Sequence, residues 1–220
     1  MKTLSNHLIA ACTLAALFSL TACGSVYYKT MEQFGVHKRD ILVDRVEEGR
    51  DAQQEAKEQF RSALEAFRSV SDFDGGDLEA TYSKLNDEFE RSQSRAKDVT
   101  SQIASIETVS EDLFEEWSTE VSSMQNAELR SKSQQTLDAS KQRYGDLISV
   151  MKKAADKMEP VLVAFRDHVL FLKHNLNANA ISSLEGELVK IESNVAALIT
   201  DMEASIAEAD SFIASMDESK

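Results

Sequence analysis

The chain has 220 residues, 24 of them basic and 38 acidic, for a net charge of −14. A field of that sign repels nucleic acid and anionic membrane surfaces. Seven glycines and one proline are too few for the turns of a small all-β or α/β domain, and the dominance of Ala, Leu, Glu, Lys, Gln, Arg and Ser is that of long helices.

The N-terminus reads as a membrane address. Lys2 is a short positive n-region, and Leu8 to Leu20 is an apolar run broken only by small residues. That is the layout of a secretory signal peptide, and it is too short to span a bilayer. Leu20-Thr21-Ala22-Cys23-Gly24 resembles a bacterial lipobox. The resemblance implies cleavage of the Ala22–Cys23 bond and a lipid on Cys23. The other reading is an ordinary secretory peptide with a chance Cys at its cut site. Gly24 and Ser25 follow the Cys. In the lipoprotein sorting rule an Asp in the first of these places retains the chain at the inner membrane, so the expected location is the outer membrane, facing the periplasm.

On this reading residues 1–22 are a signal peptide and residues 23–220 a single helical domain. Cys12 leaves with the peptide, so Cys23 is the one remaining cysteine. No internal disulfide is then available, and thiol catalysis, Cys-based zinc sites and thiol redox work are excluded. Removal of Lys2 takes the net charge to −15, unevenly spread. Residues 24–72 carry −2, 73–127 carry −9, 128–174 carry +3 and 175–220 carry −7. A basic segment between acidic ones predicts complementary packed helices. A basic stripe for a phosphate or an acidic partner is the alternative.

Four segments follow, each with a heptad rhythm. In the first, Met31, Phe34, Ile41, Leu42, Val46, Phe60 and Phe67 run beside a row of small residues at Gly49, Ala56 and Ala63, ending in Val70. Small residues every seven let a partner backbone approach closely. Asp72-Phe73-Asp74-Gly75-Gly76-Asp77 is the Gly-rich loop, with Asp77 as N-cap. The second segment reads Leu78, Tyr82, Leu85, Phe89, Ser92, Ala96, Val99, Ile103, Ile106, Ser110, Leu113, Trp117, Val121 and Met124.

After a lapse at residues 123–127, the third repeats at a strict seven: Leu137, Tyr144, Met151, Met158, Phe165, Leu172. A second row, Ile148, Ala155, Leu162, Val169 and Leu176, widens the stripe beyond a two-stranded seam. Pro160 inside this pattern predicts a kink rather than an end. Asn175, Asn177 and Asn179 mark the last break, and Ser182 with Glu185 has capping-box spacing. The last segment steps by three and four through Ile181, Leu184, Leu188, Ile191, Val195, Leu198, Met202, Ser205, Ala209, Phe212 and Met216. That is the a/d seam of a coiled coil or bundle.

The predicted helices are 29–72, 77–125, 128–175 and 179–217. Short connections make neighbours antiparallel. The predicted fold is all-α, an elongated antiparallel helical bundle of about four long helices, with the separation of the last two the open point.

Gly35-Val36-His37-Lys38-Arg39-Asp40-Ile41-Leu42-Val43-Asp44-Arg45-Val46 resembles the start of a proteobacterial lipoprotein family, domain of unknown function 2959. Leu113-Phe114 with Glu116-Trp117, Met158 to Val161, and Phe171-Leu172-Lys173-His174-Asn175-Leu176-Asn177-Ala178 are similar to it too. The resemblance covers nearly the whole chain after the signal. It implies a helical envelope lipoprotein and supplies no activity and no site residues.

The residues offer little chemistry of their own. His37, His168 and His174 are the histidines after the signal. His168 falls on a core row, where a polar residue fixes register or pairs with a buried neighbour. A metal there needs a second ligand three or four residues away on the same face. Asp167 points elsewhere, and His174 is six positions on. Glu47-Glu48, Glu111-Asp112 and Glu115-Glu116 lie off the apolar rows and read as solvated faces. Phosphate loops, GxSxG turns and HExxH pairs are absent from the sequence. The cluster Lys38-Arg39 beside His37 reads as solvated surface, or else as a contact to lipid headgroups. Phe114 and Trp117 read as core, or else as an aromatic patch for a partner.

The expected catalytic, cofactor and metal sites are none, and the expected site is lipidation at Cys23. The expected function is a non-catalytic, lipid-anchored periplasmic scaffold or adaptor of the bacterial cell envelope. Its partners are the membrane, through the lipid, and a periplasmic protein or a second copy, with no nucleic acid. The alternative is a lipid-binding or membrane-shaping bundle. An exposed apolar face or an internal cavity favours that alternative, and a buried seam with charged outer faces favours the scaffold.

Overall fold

The structure, a computed structural model, describes residues 37–73, 75, 77–175 and 178–217. Of these, 94% are helical, against a globular average of about one-third. The helices are α1 (Lys38–Ser71), α2 (Leu78–Ser123), α3 (Ala127–Asp156), α4 (Met158–His174) and α5 (Ala178–Asp217). At 1.5 Å per residue, α1 is about 50 Å long and α2 about 70 Å.

The starts and stops follow from local chemistry. Asp77 caps α2, its Oδ1 accepting from the Ala80 N–H at 3.0 Å. Asn126 caps α3, its Oδ1 accepting from the N–H groups of Glu128 and Leu129 at 3.0 and 3.1 Å. Each cap satisfies backbone donors that a helix start leaves unpaired. The predicted start of the first helix at residues 29–37 falls mostly outside the described residues, as do Cys12, Cys23, Met31 and Phe34. The last break comes earlier than the capping-box spacing suggests. α5 begins at Ala178, which leaves Ser182 inside it.

Near Pro160 the third rod is interrupted, α3 ending at Asp156 and α4 beginning at Met158, where the sequence predicts a kink within one helix. Helical assignment lapses for Lys157 alone, whose φ of −76° and ψ of −15° stay right-handed. Pro160 has no N–H for the Asp156 carbonyl and its ring crowds that carbonyl. The lapse sits where that missing bond belongs. α3 and α4 both pack on α2 and on α5, so they act as one rod.

Each rod has two main neighbours. α1 lies against α2 and α5, and the α3–α4 rod closes the ring between α2 and α5. The core is continuous from Leu42 and Val46 to Phe67 and Val70 on α1, with Leu85, Val99 and Ile106 of α2, Leu147, Met151, Phe165 and Leu172 of α3–α4, and Val195, Leu198 and Met202 of α5. The predicted seam of α5 is buried at every position but Leu188, which is half-buried.

Two rows shift from their predicted places. In α2 Phe114 turns inward and Leu113 is half-buried, because a straight helix drifts from a strict seven over a span this long. In the third rod the second buried row is Ser140, Leu147, Ala154 and Val161, while Ile148 and Ala155 are half-buried. Leu162 and Val169 of the predicted row are buried, and Leu176 lies outside the described residues.

The charge pattern resolves into cross-rod pairs. Acidic α5 is met from α1 by Arg50–Asp210 and Arg61–Glu203 at 3.0 Å and by Arg68–Glu192 at 2.7 Å. From the third rod it is met by Lys153 and Lys157, both on Asp201. Lys152 pairs with Glu107 of α2, and Arg95 of α2 with Glu55 of α1. Partner numbers fall along α5 as they rise along α1, as antiparallel rods require.

Gly49 marks a close approach. A Cβ there would stand 2.8 Å from Ile106 Cδ1 and 3.0 Å from Met151 Cε. Both are movable side-chain ends, so Gly49→Ala should lie within about 1 kcal/mol of wild type, its helical gain of ~1 kcal/mol offsetting the crowding. Gly49→Leu has no such room and should cost roughly 3 kcal/mol by overpacking. Urea unfolding of the pair checks both. Equal stability of the Leu variant would show that this contact is not tight.

Candidate functional site

Cys23, the predicted lipidation site, lies outside the described residues. Where its tether arrives is described. α1 begins fifteen residues later at Lys38, at the end of the bundle that also holds the end of α2, the start of α3 and the end of α5. Lys38 forms an ion pair with Glu116 of α2, its side chain only 10% exposed. The Arg39 guanidinium donates to the Met216 carbonyl of α5. These two cations therefore tie α1 to its neighbours, and the solvated reading of the cluster holds for His37 alone. Phe114 is buried edge-on against Tyr144, with ring centroids 5.5 Å apart. Trp117 is half-exposed and its Nε1 donates to Ser133 Oγ at 3.0 Å.

The histidines do not converge. His37 is exposed at this end, and His174 is exposed at the opposite end of the bundle. His168 is half-buried on its core row, edge-on to Phe67 with centroids 5.2 Å apart. Burial lowers its pKa, with Glu187 and Asp167 acting against the shift and Lys190 with it. Among the described residues no group of three or more His, Cys, Asp or Glu side chains is placed to hold a metal. Of the acidic pairs, Glu47-Glu48 and Glu111 and Glu115 face solvent.

Five buried polar residues escaped the sequence reading, Ser71, Ser140 and three larger ones. Glu88 is 7% exposed and accepts from Gln59 Nε2 at 2.6 Å and from Arg91 at 2.7 Å. Burial raises its pKa, but hydrogen bonds from Arg91, Gln59 and Ser62 outweigh it and the net shift is downward. Gln53 is fully buried, its Nε2 donating to the Met151 carbonyl at 3.3 Å. Lys57 is only 9% exposed and its ammonium reaches Glu203 at 3.7 Å. Gln53 stands between Gly49 and Ala56 on the small-residue row, a position the spacing alone could have flagged. For Glu88 the sequence offers only its place beside Phe89.

Two open grooves lie on the described surface. One runs between α2 and the third rod, past Ala96, Thr100, Ala104, Ala155, Met158 and Leu162. Another lies at the tip of the α2–α3 hairpin, lined by Trp117, Met124, Leu129, Lys132, Ser133 and Thr136. No helix among the described residues is long and apolar enough to cross a membrane.

A family model described as "Protein of unknown function (DUF2959)" matches residues 27–216. The chain belongs to that family. No curated protein and no solved structure matches the chain. The DUF2959 match spans four helices in full and α5 but for its last residue, and it begins ten residues before His37.

Two substitutions separate structural from chemical roles. His168 has its pKa below the ordinary 6.5, so the fold favours the neutral ring. Wild-type stability should fall as pH drops below about 6.5, and keep falling until the lowered value is passed. His168→Leu should be as stable as wild type or more so at neutral pH and should lack this acid-sensitive limb. Thermal melts across pH 5–8 test it, and stoichiometric metal lost in the Leu variant would contradict it.

Asp201 has its pKa lowered by the hydrogen bond from Lys157, with burial opposing and Lys153 adding to it. Its contribution is present above the ordinary carboxylate value and lost as pH falls through the lowered one. Asp201→Asn should therefore cost up to about 1 kcal/mol at neutral pH. The gap to wild type should close in acid, and a gap that persists there would argue against the ion pairs.

Proposed function

We propose that the chain is a lipid-anchored, non-catalytic scaffold or adaptor of the bacterial cell envelope, held at the outer membrane by Cys23 and facing the periplasm. The observation that carries this reading is the lipobox-like Leu20-Thr21-Ala22-Cys23, set fifteen residues before a long closed bundle. A lipid needs only one acylated residue and a short tether. A bundle with rods up to about 70 Å long supplies reach and a large lateral surface for a protein partner or a second copy. The shifted pKa values described above all have a packing or pairing cause within the fold, which fits a structural role.

The membrane-shaping alternative has less behind it. Exposed large apolar side chains among the described residues are Leu129, Leu170, Phe171 and Val189. Scattered apolar residues are normal on a soluble surface. The outer faces carry the ion pairs already described.

Cys23→Ser should block processing or release the protein from membranes, and wild type should fractionate with the outer membrane. Metabolic labelling with an alkyne fatty acid, followed by density-gradient separation, reads both. A wild-type protein without lipid, or confined to the inner membrane, would sink the anchor reading. Crosslinking in intact cells with mass spectrometry then identifies the partner.

A further inference from the structure

α4 carries a half-apolar stripe on its outside. Glu159, Val163, Arg166 and Leu170 step by four, three and four, which places them on one helical face. Val163 is half-buried, Glu159 and Arg166 are exposed, and Leu170 is 51% exposed. The stripe borders the groove between α2 and the third rod, which Glu159 itself lines. That groove has a volume of about 490 Å³, and small side chains form much of its wall. Ala96, Thr100 and Ala104 come from α2, and Ala155 from the third rod, four residues before Glu159. Thr100 Oγ1 donates to the Ala96 carbonyl at 2.9 Å, so its hydroxyl is satisfied within its own helix and needs nothing polar from an occupant. A large side chain left outside and small ones around a hollow are the two halves of a knob-into-hole contact.

The charges select the occupant. Glu159 and Lys97, on opposite banks of the groove, have no ion pair among the described residues, and Arg166 reaches only Asp167, at 3.9 Å. Reversed end for end about the midpoint between Leu162 and Val163, the stripe sets Arg166 against Glu159 and Leu170 against Ala155. One match is electrostatic and the other steric, yet both share a single centre. A surface complementary to itself in this way is the mark of a two-fold contact between identical chains. The same reversal sets Asp167 against Met158, which shares the groove with Lys97. It sets Lys173 against Lys152, whose ammonium is already paired with Glu107.

We propose that a second copy of this chain packs antiparallel on this face, Leu170 of each copy entering the groove beside the partner's Ala155 and Arg166 pairing with the partner's Glu159. The overlap covers about 25 residues, roughly 37 Å, and the two His37 ends point apart. A second copy is then the partner in the scaffold reading, on which this pairing rests for its role. Its geometry involves no lipid.

Oxidation of the full chain with copper phenanthroline checks the register. Ala155→Cys with Leu170→Cys should yield a disulfide-linked dimer above the wild-type background. Within one copy the two positions are fifteen residues apart, about 22 Å along the rod, too far to bridge. Neither single substitution should crosslink, and neither should Ala155→Cys with Val189→Cys, a pair that includes an exposed position of α5. Purified in mild detergent, wild type should sediment as a dimer that dissociates on dilution. Arg166→Glu and Glu159→Arg should each weaken that dimer about tenfold, since each reversal acts at two symmetric pairs. Both together should restore it. All these variants should keep the helix content of wild type.

Equal crosslinking by the single and the paired cysteines overturns the proposal, because it marks chance collision. So does a wild-type chain that stays monomeric at every concentration, or a double reversal no better than either single one. So do crosslinks to a different protein in place of the dimer, which assign the groove to that protein. The purified chain is scored whether or not Cys23 is acylated, so failure of the anchor reading and failure of this pairing are distinguishable.

Discussion

Everything in this molecule depends on apolar stripes that stay in register over some forty residues. A rod of that length cannot hide its stripe against one neighbour, and each rod here has two. The stripe of α5 is the cleanest, running from Ile181 to Met216 with one half-buried position. Because it faces both α1 and the third rod, it sets the width of the stripes they must present. Gly49 shows how little slack remains. The side chains of Ile106 and Met151 occupy the volume that a Cβ would claim.

Hydrophobic stripes alone leave sliding along the rods poorly specified, and polar groups supply the stops. Gln53 bonds to a backbone carbonyl across the core, and Glu88 gathers Gln59 and Arg91 at the α1–α2 seam. A polar group in a seam costs stability unless its partner is in place, so it penalises a one-turn slip. The outer ion pairs add a weaker constraint of the same kind. Isolated surface pairs contribute little, but a series from Arg50–Asp210 to Arg68–Glu192 is satisfied together in one register only.

The heptad spacing made most of this legible. The four packed rods, their approximate ends, the Asp77 cap and a disturbance beside Pro160 all follow from periodicity and breakers. The misses have physical causes. Leu113 and Phe114 are adjacent, and only accumulated helical drift decides which faces inward. Ser182 and Glu185 have the spacing of a cap, but spacing does not choose between a helix start and a helix interior. Lys38 and Arg39 are charged and near a terminus, yet Glu116 and the Met216 carbonyl, distant in sequence, draw them onto the bundle. At Cys23 the structure is silent, and the residues of the lipobox carry the reading by themselves.

The two ends of the bundle are chemically unlike. At the end away from the N-terminus, the stripes finish in Phe67, Val70, Phe165, Val169 and Leu172, all buried, with His168 half-covered and Asn175 exposed at the rim. Leu170 and Phe171 are exposed at this end. At the other end, α2 stays apolar to Val121 and Met124, whereas the first ten residues of α3 are polar apart from Ala127 and Leu129. Val121 is buried all the same and Phe114 beside it, so α2 keeps a covered face to its last turn, while α3 shows Leu129 to solvent at 59% exposure.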